Sequence, residues 1–100
     1  MTKEEIISDI KKQYMSDINF AMAEYGASNL RLFGSAARGE LTPASDIDVI
    51  VDIKNPPRGR LFARAGLSER LSQILGRNVD VVFSDDKFMS KLDQRHVVAV

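Results

Sequence analysis

With 100 residues, the chain is long enough for one compact core and too short for two. Its 14 basic and 14 acidic side chains cancel to a formal net charge of zero. The basic excess of a nucleic-acid or membrane-surface binder is therefore missing, and any polyanion must be held by a local arrangement. Cysteine is absent, which excludes a disulfide framework and thiolate metal sites.

The start, Met1-Thr2-Lys3-Glu4-Glu5, lacks the basic-then-apolar layout of a signal peptide. No apolar run approaches the roughly 20 residues of a transmembrane helix, so a cytoplasmic location is expected. Thr2 and Glu5 form a capping-box pattern. From there Ile6, Ile7, Ile10, Tyr14, Ile18, Ala21 and Met22 keep a helical stride, which predicts one long helix ending at Gly26. Asn29 to Phe33 alternates with a period of two and predicts a short strand. Gly34-Ser35 follows at once, then the small residues Ala36-Ala37-Arg38-Gly39, enough for a turn or two of helix. Leu41 to Ser45 reads as a loop because Pro43 disfavours a continuing helix. Asp46 to Ile53 is a β-branched run and the strongest strand signal.

Lys54-Asn55-Pro56-Pro57-Arg58-Gly59 is a turn too short to separate domains. Leu61, Phe62, Ala65, Leu67, Leu71, Ile74 and Leu75 predict a second long helix closed by Gly76, and Val79 to Phe83 a third strand. The stretch from Lys87 to Val100 carries a weaker helical pattern. The order αβαβαβα predicts an α/β (α+β) fold in which helices cover a small mixed three-stranded sheet, with residues 1–100 as a single domain.

Three features of this order carry chemistry. Gly34-Ser35 ends a strand, where a residue without Cβ lets the backbone approach a bulky anion and the next amide and hydroxyl can donate to phosphate oxygens. Asp46 and Asp48 open an apolar strand and project from one face about 7 Å apart. Two like charges so placed repel each other, and a divalent cation with a preference for hard oxygen ligands removes the repulsion. Asp80 is the one acidic residue of the third strand. If that strand neighbours the second, three carboxylates converge on a site for two metal ions about 4 Å apart, which clamps the entering and leaving oxygens of a phosphoryl displacement.

Gly34-Ser35, ten intervening residues and Asp46-Ile47-Asp48 resemble the signature of the DNA polymerase β-like nucleotidyltransferases. The fuller string from Gly34 through Glu40 and on from Ser45 to Val51 resembles the minimal branch, MNT, many of whose members are the MntA-type antitoxins of HEPN/MNT toxin–antitoxin pairs. The resemblance implies that Asp46, Asp48 and Asp80 are catalytic and bind two Mg2+ ions, with Asp80 the general base in the family's scheme. It implies that Gly34 and Ser35 hold the β- and γ-phosphates of ATP while Arg38 offsets phosphate charge. It further implies AMP transfer from ATP to a tyrosine of a HEPN-class RNase toxin, by in-line attack that expels pyrophosphate, with no direct nucleic-acid or membrane partner. Whether the chain assembles with the toxin or with further copies of itself stays open. A short chain offers half a cleft, so a larger protein is the expected acceptor. A non-catalytic module that neutralises a toxin by occlusion is the alternative reading. A small-molecule transferase ranks behind both, because such relatives carry an additional substrate domain.

Other polar residues read more simply. His96, three residues from Asp93, is expected on the surface. Asp52 shares the parity of Asp46 and Asp48 but lies at the far end of the strand, where solvent is the expected surrounding. Glu40 is expected in solvent near the site. Arg58, Arg60, Arg64, Arg70 and Arg77 predict a solvated basic face, with ATP phosphates or an acidic partner surface as the sharper alternative. Asp85-Asp86 fits the start of a last helix.

Overall fold

A computed structural model describes residues 2–42, 44–86 and 97–100. The first predicted helix is present in three pieces: α1 (Lys3–Asp9), a π-helical turn (Ile10–Tyr14) and α2 (Met15–Glu24). The capping box forms as expected, with the Glu5 amide donating to the Thr2 hydroxyl at 3.1 Å. The π turn has a reason in the sequence. Apolar steps of four, at Ile6, Ile10, Tyr14 and Ile18, each overrun a 3.6-residue turn by about 40°. A wider turn with i→i+5 bonding absorbs that overrun, and Ile6, Ile10 and Ile18 all end buried.

Strand β1 runs Ala27–Phe33, two residues longer than predicted. A bulge between Ser28 and Arg31 places Asn29 at φ +57°. The bulge breaks the alternation, so a period-two pattern reveals only the part from Asn29 onward. After the short helix α3 (Gly34–Ala37), β2 runs Ile47–Ile53, α4 runs Arg60–Leu75, and β3 runs Val79–Phe83. A fourth strand, β4 (Val98–Ala99), pairs antiparallel with β1. The sheet therefore has four strands among the described residues, not three, in the order β3-β2-β1-β4. The predicted last helix falls mostly on residues 87–96, outside the described residues, as do Asp93 and His96. Its final residues are the added strand, because Val98 has Leu32 to pair with and an apolar layer to join.

The sheet is mixed: β1 and β2 are antiparallel, β2 and β3 parallel. On one face Leu30, Leu32, Val49, Val51, Val81 and Phe83 meet Ile18, Met22, Leu67 and Leu71 from the helices. These β-branched and aliphatic side chains alternate in β2 and β3 with residues that face the other way. Among the described residues no helix is long and apolar enough to cross a membrane.

The outer edge of β3 is closed by side chains. Ser72 accepts from the Val79 amide at 2.9 Å, Ser68 from the Val81 amide at 3.2 Å and Asp86 from the Phe83 amide at 2.9 Å. Arg64 donates to the Val81 carbonyl at 3.3 Å. An i,i+4 serine pair on α4 thus occupies the groups that a further strand would need.

Candidate active site

The site assembles where β1 ends and β2 begins. Phe33 is extended, and the chain then turns through Gly34 at φ +66° into α3. This conformation favours glycine, and packing demands it as well: a Cβ on Gly34 would lie 2.7 Å from Oδ2 of Asp48. The buried Ala36 and Ala37 set α3 against the sheet. Ser35 is half-buried in the same turn and its carbonyl accepts from the Glu40 amide at 2.9 Å.

Register then fixes the carboxylates. Asp48 pairs with Phe33 on one side and directly with Asp80 on the other. Paired residues of neighbouring strands project from the same face, so Phe33, Asp48 and Asp80 form one row across three strands. Asp46 precedes β2, on a segment held by the Ile47 amide, which donates to the Asn78 carbonyl at 2.9 Å. Arg77 steadies the same loop by donating to the Thr42 carbonyl at 3.1 Å. Asp46 and Asp80 are exposed, whereas Asp48 is half-buried.

The electrostatics report the crowding. Burial pushes the Asp48 carboxyl above the usual carboxylate range, Asp80 and Asp46 push it further, and the Arg38 charge pulls it back. All three partners therefore act on one carboxylate. Arg38 is exposed and its Nε donates to Glu40 at 3.2 Å, so Glu40 is an ion-pair partner at the rim. Among the described residues no three acidic or imidazole side chains lie close enough to enclose an ion as they stand. The donor set nevertheless fits a hard divalent cation: oxygen ligands only, mutually repelling, beside a backbone with no Cβ. Past Asp80 the row opens into a groove of about 520 Å3, lined by Phe33, Leu61, Ala65 and Val82 and reaching α4.

The nucleotidyltransferase domain family matches residues 16–99, which takes in all of this geometry. The chain belongs to that family. A Methanocaldococcus jannaschii protein provisionally named a protein adenylyltransferase is 34% identical over 76% of both chains, and a second from that organism is 36% identical over the same shares. The protein adenylyltransferase MntA of Thermococcus cleftensis is 38% identical over 58% of this chain and 57% of its own. A solved structure provisionally described as a minimal nucleotidyltransferase superposes with a TM-score of 0.68 at 27% identity, covering 100% of this chain and 95% of that one. A toxin–antitoxin crystal structure with AMP-PNP shares the fold, with a TM-score of 0.61 at 20% identity over 99% of this chain and 72% of that one. Family and relatives together make this chain a transferase of nucleotidyl groups.

Several of the remaining polar residues have partners within the chain. Asp52 is not simply solvated: Arg31 and Asn29 both donate to it, and hydrogen bonds, that of Ser84 foremost, hold its carboxyl below the usual range. Asp85 and Asp86 are claimed by arginines of α4. Arg60 grips Asp85 through two bonds of 3.0 and 2.7 Å, and Arg64 grips Asp86 through two of 3.0 and 2.9 Å. Both guanidiniums also lie over the Phe83 ring, at 4.8 and 4.4 Å. Arg70 pairs with Glu24 and Arg58 stacks on Phe62. The basic stretch is thus largely spent inside the molecule. Phe33 and Leu61 line the groove, whereas the sequence read them only as the end of a strand and the start of a helical apolar stripe.

Proposed function

We propose that this chain is a single-domain, cytoplasmic protein adenylyltransferase that acts as an antitoxin by moving AMP from ATP to a tyrosine of a HEPN-class RNase toxin. The observation that carries the reading is the direct pairing of Asp48 with Asp80 beside the Gly34 turn. Asp46, Asp48 and Asp80 would hold two magnesium ions, whose charge would neutralise the phosphate oxygens around the reacting phosphorus. The Gly34 backbone and the Ser35 hydroxyl hold the β- and γ-phosphates, and Arg38 leaves Glu40 to meet their charge. Asp80 receives the proton of the acceptor hydroxyl. That oxygen forms a bond to the α-phosphorus as the bond to pyrophosphate breaks, and pyrophosphate carries away the electron pair. Most of the rate comes from holding these groups in line.

Support for ATP and for a toxin partner comes from the relatives named protein adenylyltransferase and from the AMP-PNP-bound toxin–antitoxin pair of the same fold. The test is incubation of the chain with Mg2+, ATP and a purified HEPN-class companion, with mass spectrometry of the companion. AMP on a companion tyrosine, lost in Asp46→Asn, Asp48→Asn and Asp80→Asn variants that still bind the companion, is the expected result. A companion silenced equally well by those variants, with no AMP attached, would make occlusion the mechanism and sink the enzymatic one.

A further inference from the structure

We infer that Arg77 is a positioning residue for the site: with Asn78 it fixes the direction of the Asp46 carboxylate and ties it to the strand that carries Asp80. The inference rests on the adenylyl-transfer reading, in which Asp46 and Asp80 share metal ions, and adds what holds the two in one frame. Asp48 needs no such help, because the ladder pairs it with Phe33 on one side and Asp80 on the other. Asp46 is exposed and lies just before Ile47, the first residue of β2. The ladder does not reach it, so its direction must come from its own backbone.

A residue has only two soft backbone dihedrals, so anchoring the peptide planes on both sides of a Cα fixes where its Cβ points. Both planes around Asp46 are anchored. The half-buried Arg77 donates through Nη1 to the Thr42 carbonyl at 3.1 Å and, less closely, to the Ser45 carbonyl at 3.5 Å. The Ser45 carbonyl belongs to the peptide that enters Asp46. The peptide that leaves it ends in the Ile47 amide, which donates to the Asn78 carbonyl at 2.9 Å. Thr42 and Ser45 otherwise bond to each other, amide to hydroxyl at 3.0 Å and amide to carbonyl at 3.0 Å. Among the described residues, Arg77 supplies the hydrogen bonds that attach this turn to the rest of the chain. The anchoring segment is itself pinned to α4, since the Gly76 amide donates to the Ser72 carbonyl and the Val79 amide to the Ser72 hydroxyl, each at 2.9 Å. Asp80 comes next after Val79, so one pinned segment sets Asp46 and Asp80 together.

Charge and positioning predict opposite effects on metal binding. Arg77→Met keeps an apolar side chain against Leu41, Ile47 and Leu75, with which Arg77 lines a cavity of about 150 Å3, and loses the charge and the donors. Loss of a positive charge near a cation site would by itself tighten metal binding, whereas a loosened Asp46 weakens it. The full chain and its Arg77→Met, Arg77→Lys and Arg70→Met variants are titrated with Mn2+ alone, the free ion being followed by EPR. Arg70→Met removes an arginine paired with Glu24 and is the control for lost charge and stability. Arg77→Met is expected to bind Mn2+ about 10- to 100-fold more weakly than the wild type, and Arg70→Met to match the wild type. Arg77→Lys retains a charged donor and should fall between, and it carries the comparison if Arg77→Met does not fold. Without metal, NMR should show the Ile47 amide exchanging faster in Arg77→Met while the Val49 amide stays as protected. Unchanged or tighter Mn2+ binding, or unchanged Ile47 exchange, would overturn the inference, as would an equal loss in Arg70→Met; each leaves the transfer reading intact. No Mn2+ uptake by the wild type would overturn both. If the differences appear but the wild-type chain labels no companion protein, the transfer reading fails while the positioning role of Arg77 stands.

Discussion

Replacing Gly34 by alanine separates what the turn does for the fold from what it does for the site. An alanine in the left-handed region costs roughly 1–2 kcal/mol, of which about 0.4–1 is returned by the stiffer unfolded chain. A net loss near 1 kcal/mol should lower Tm by about 4–8 °C in a domain of this size. Gly76 is the matched control, since it has φ +71° and nothing within 4 Å of a built Cβ, so Gly76→Ala should lose about as much stability. The two differ in one contact. At Gly34 the new methyl would sit 2.7 Å from Oδ2 of Asp48, about 0.7 Å short of the 3.4 Å where ordinary contact begins. The carboxylate must move by something near that amount, and misplacement of a reacting group by about 1 Å costs on the order of 100-fold in rate. Thermal melts and AMP-transfer rates measured on both variants give the comparison. Similar melting points with transfer lost only in Gly34→Ala are expected. Transfer by Gly34→Ala within threefold of Gly76→Ala would refute the reasoning.

Without magnesium, Asp48→Asn should stabilise the fold by roughly 0.5 kcal/mol by relieving the opposed charges of Asp48 and Asp80. Because the Asp48 carboxyl lies above its ordinary value of 3.8 in the fold, native protein binds the extra proton and wild-type stability falls as pH rises through the folded value. Urea titrations should therefore show the Asp48→Asn advantage at pH 7 and its disappearance as pH approaches 3.8. Asp86 has the opposite sign: its bonds with Arg64 lower its carboxyl below 3.8, so its contribution is present above that value and fades below it. Asp86→Ala should cost about 2 kcal/mol at pH 7 in the same titrations, since it strips two charged bonds and the acceptor of the Phe83 amide. Ser68→Ala and Ser72→Ala should each cost about 1 kcal/mol by orphaning an edge amide. The double variant should also self-associate on size-exclusion chromatography through the uncovered edge of β3.

The meeting of Gly34, Asp48 and Asp80 in one candidate site was legible in the sequence because its signals are local and unusual: a glycine after a strand, and aspartates where strands avoid them. What strand parity left open was the neighbour of β2, and the parallel register of Asp48 with Asp80 answers it. The elements also followed from periodicity, except where periodicity itself fails. The bulge at Asn29 hid the start of β1, and the π turn at Ile10–Tyr14 left no mark in a stripe that looks helical throughout. Long-range partners were invisible for a different reason. Arg60 and Arg64 reach Asp85 and Asp86 across more than 20 residues, and β4 exists because Leu32 offers Val98 an edge. Neither relation has a sequence spacing that could announce it.

Adenylyl transfer requires attack on the α-phosphorus of ATP, and two labels decide whether that is the phosphorus attacked. With Mg2+ and the acceptor protein, ATP labelled at the α-phosphate should leave its label on the acceptor, and ATP labelled at the γ-phosphate should leave it in pyrophosphate alone. Label from the γ-position on the acceptor would contradict an adenylyl transfer and the site drawn for it.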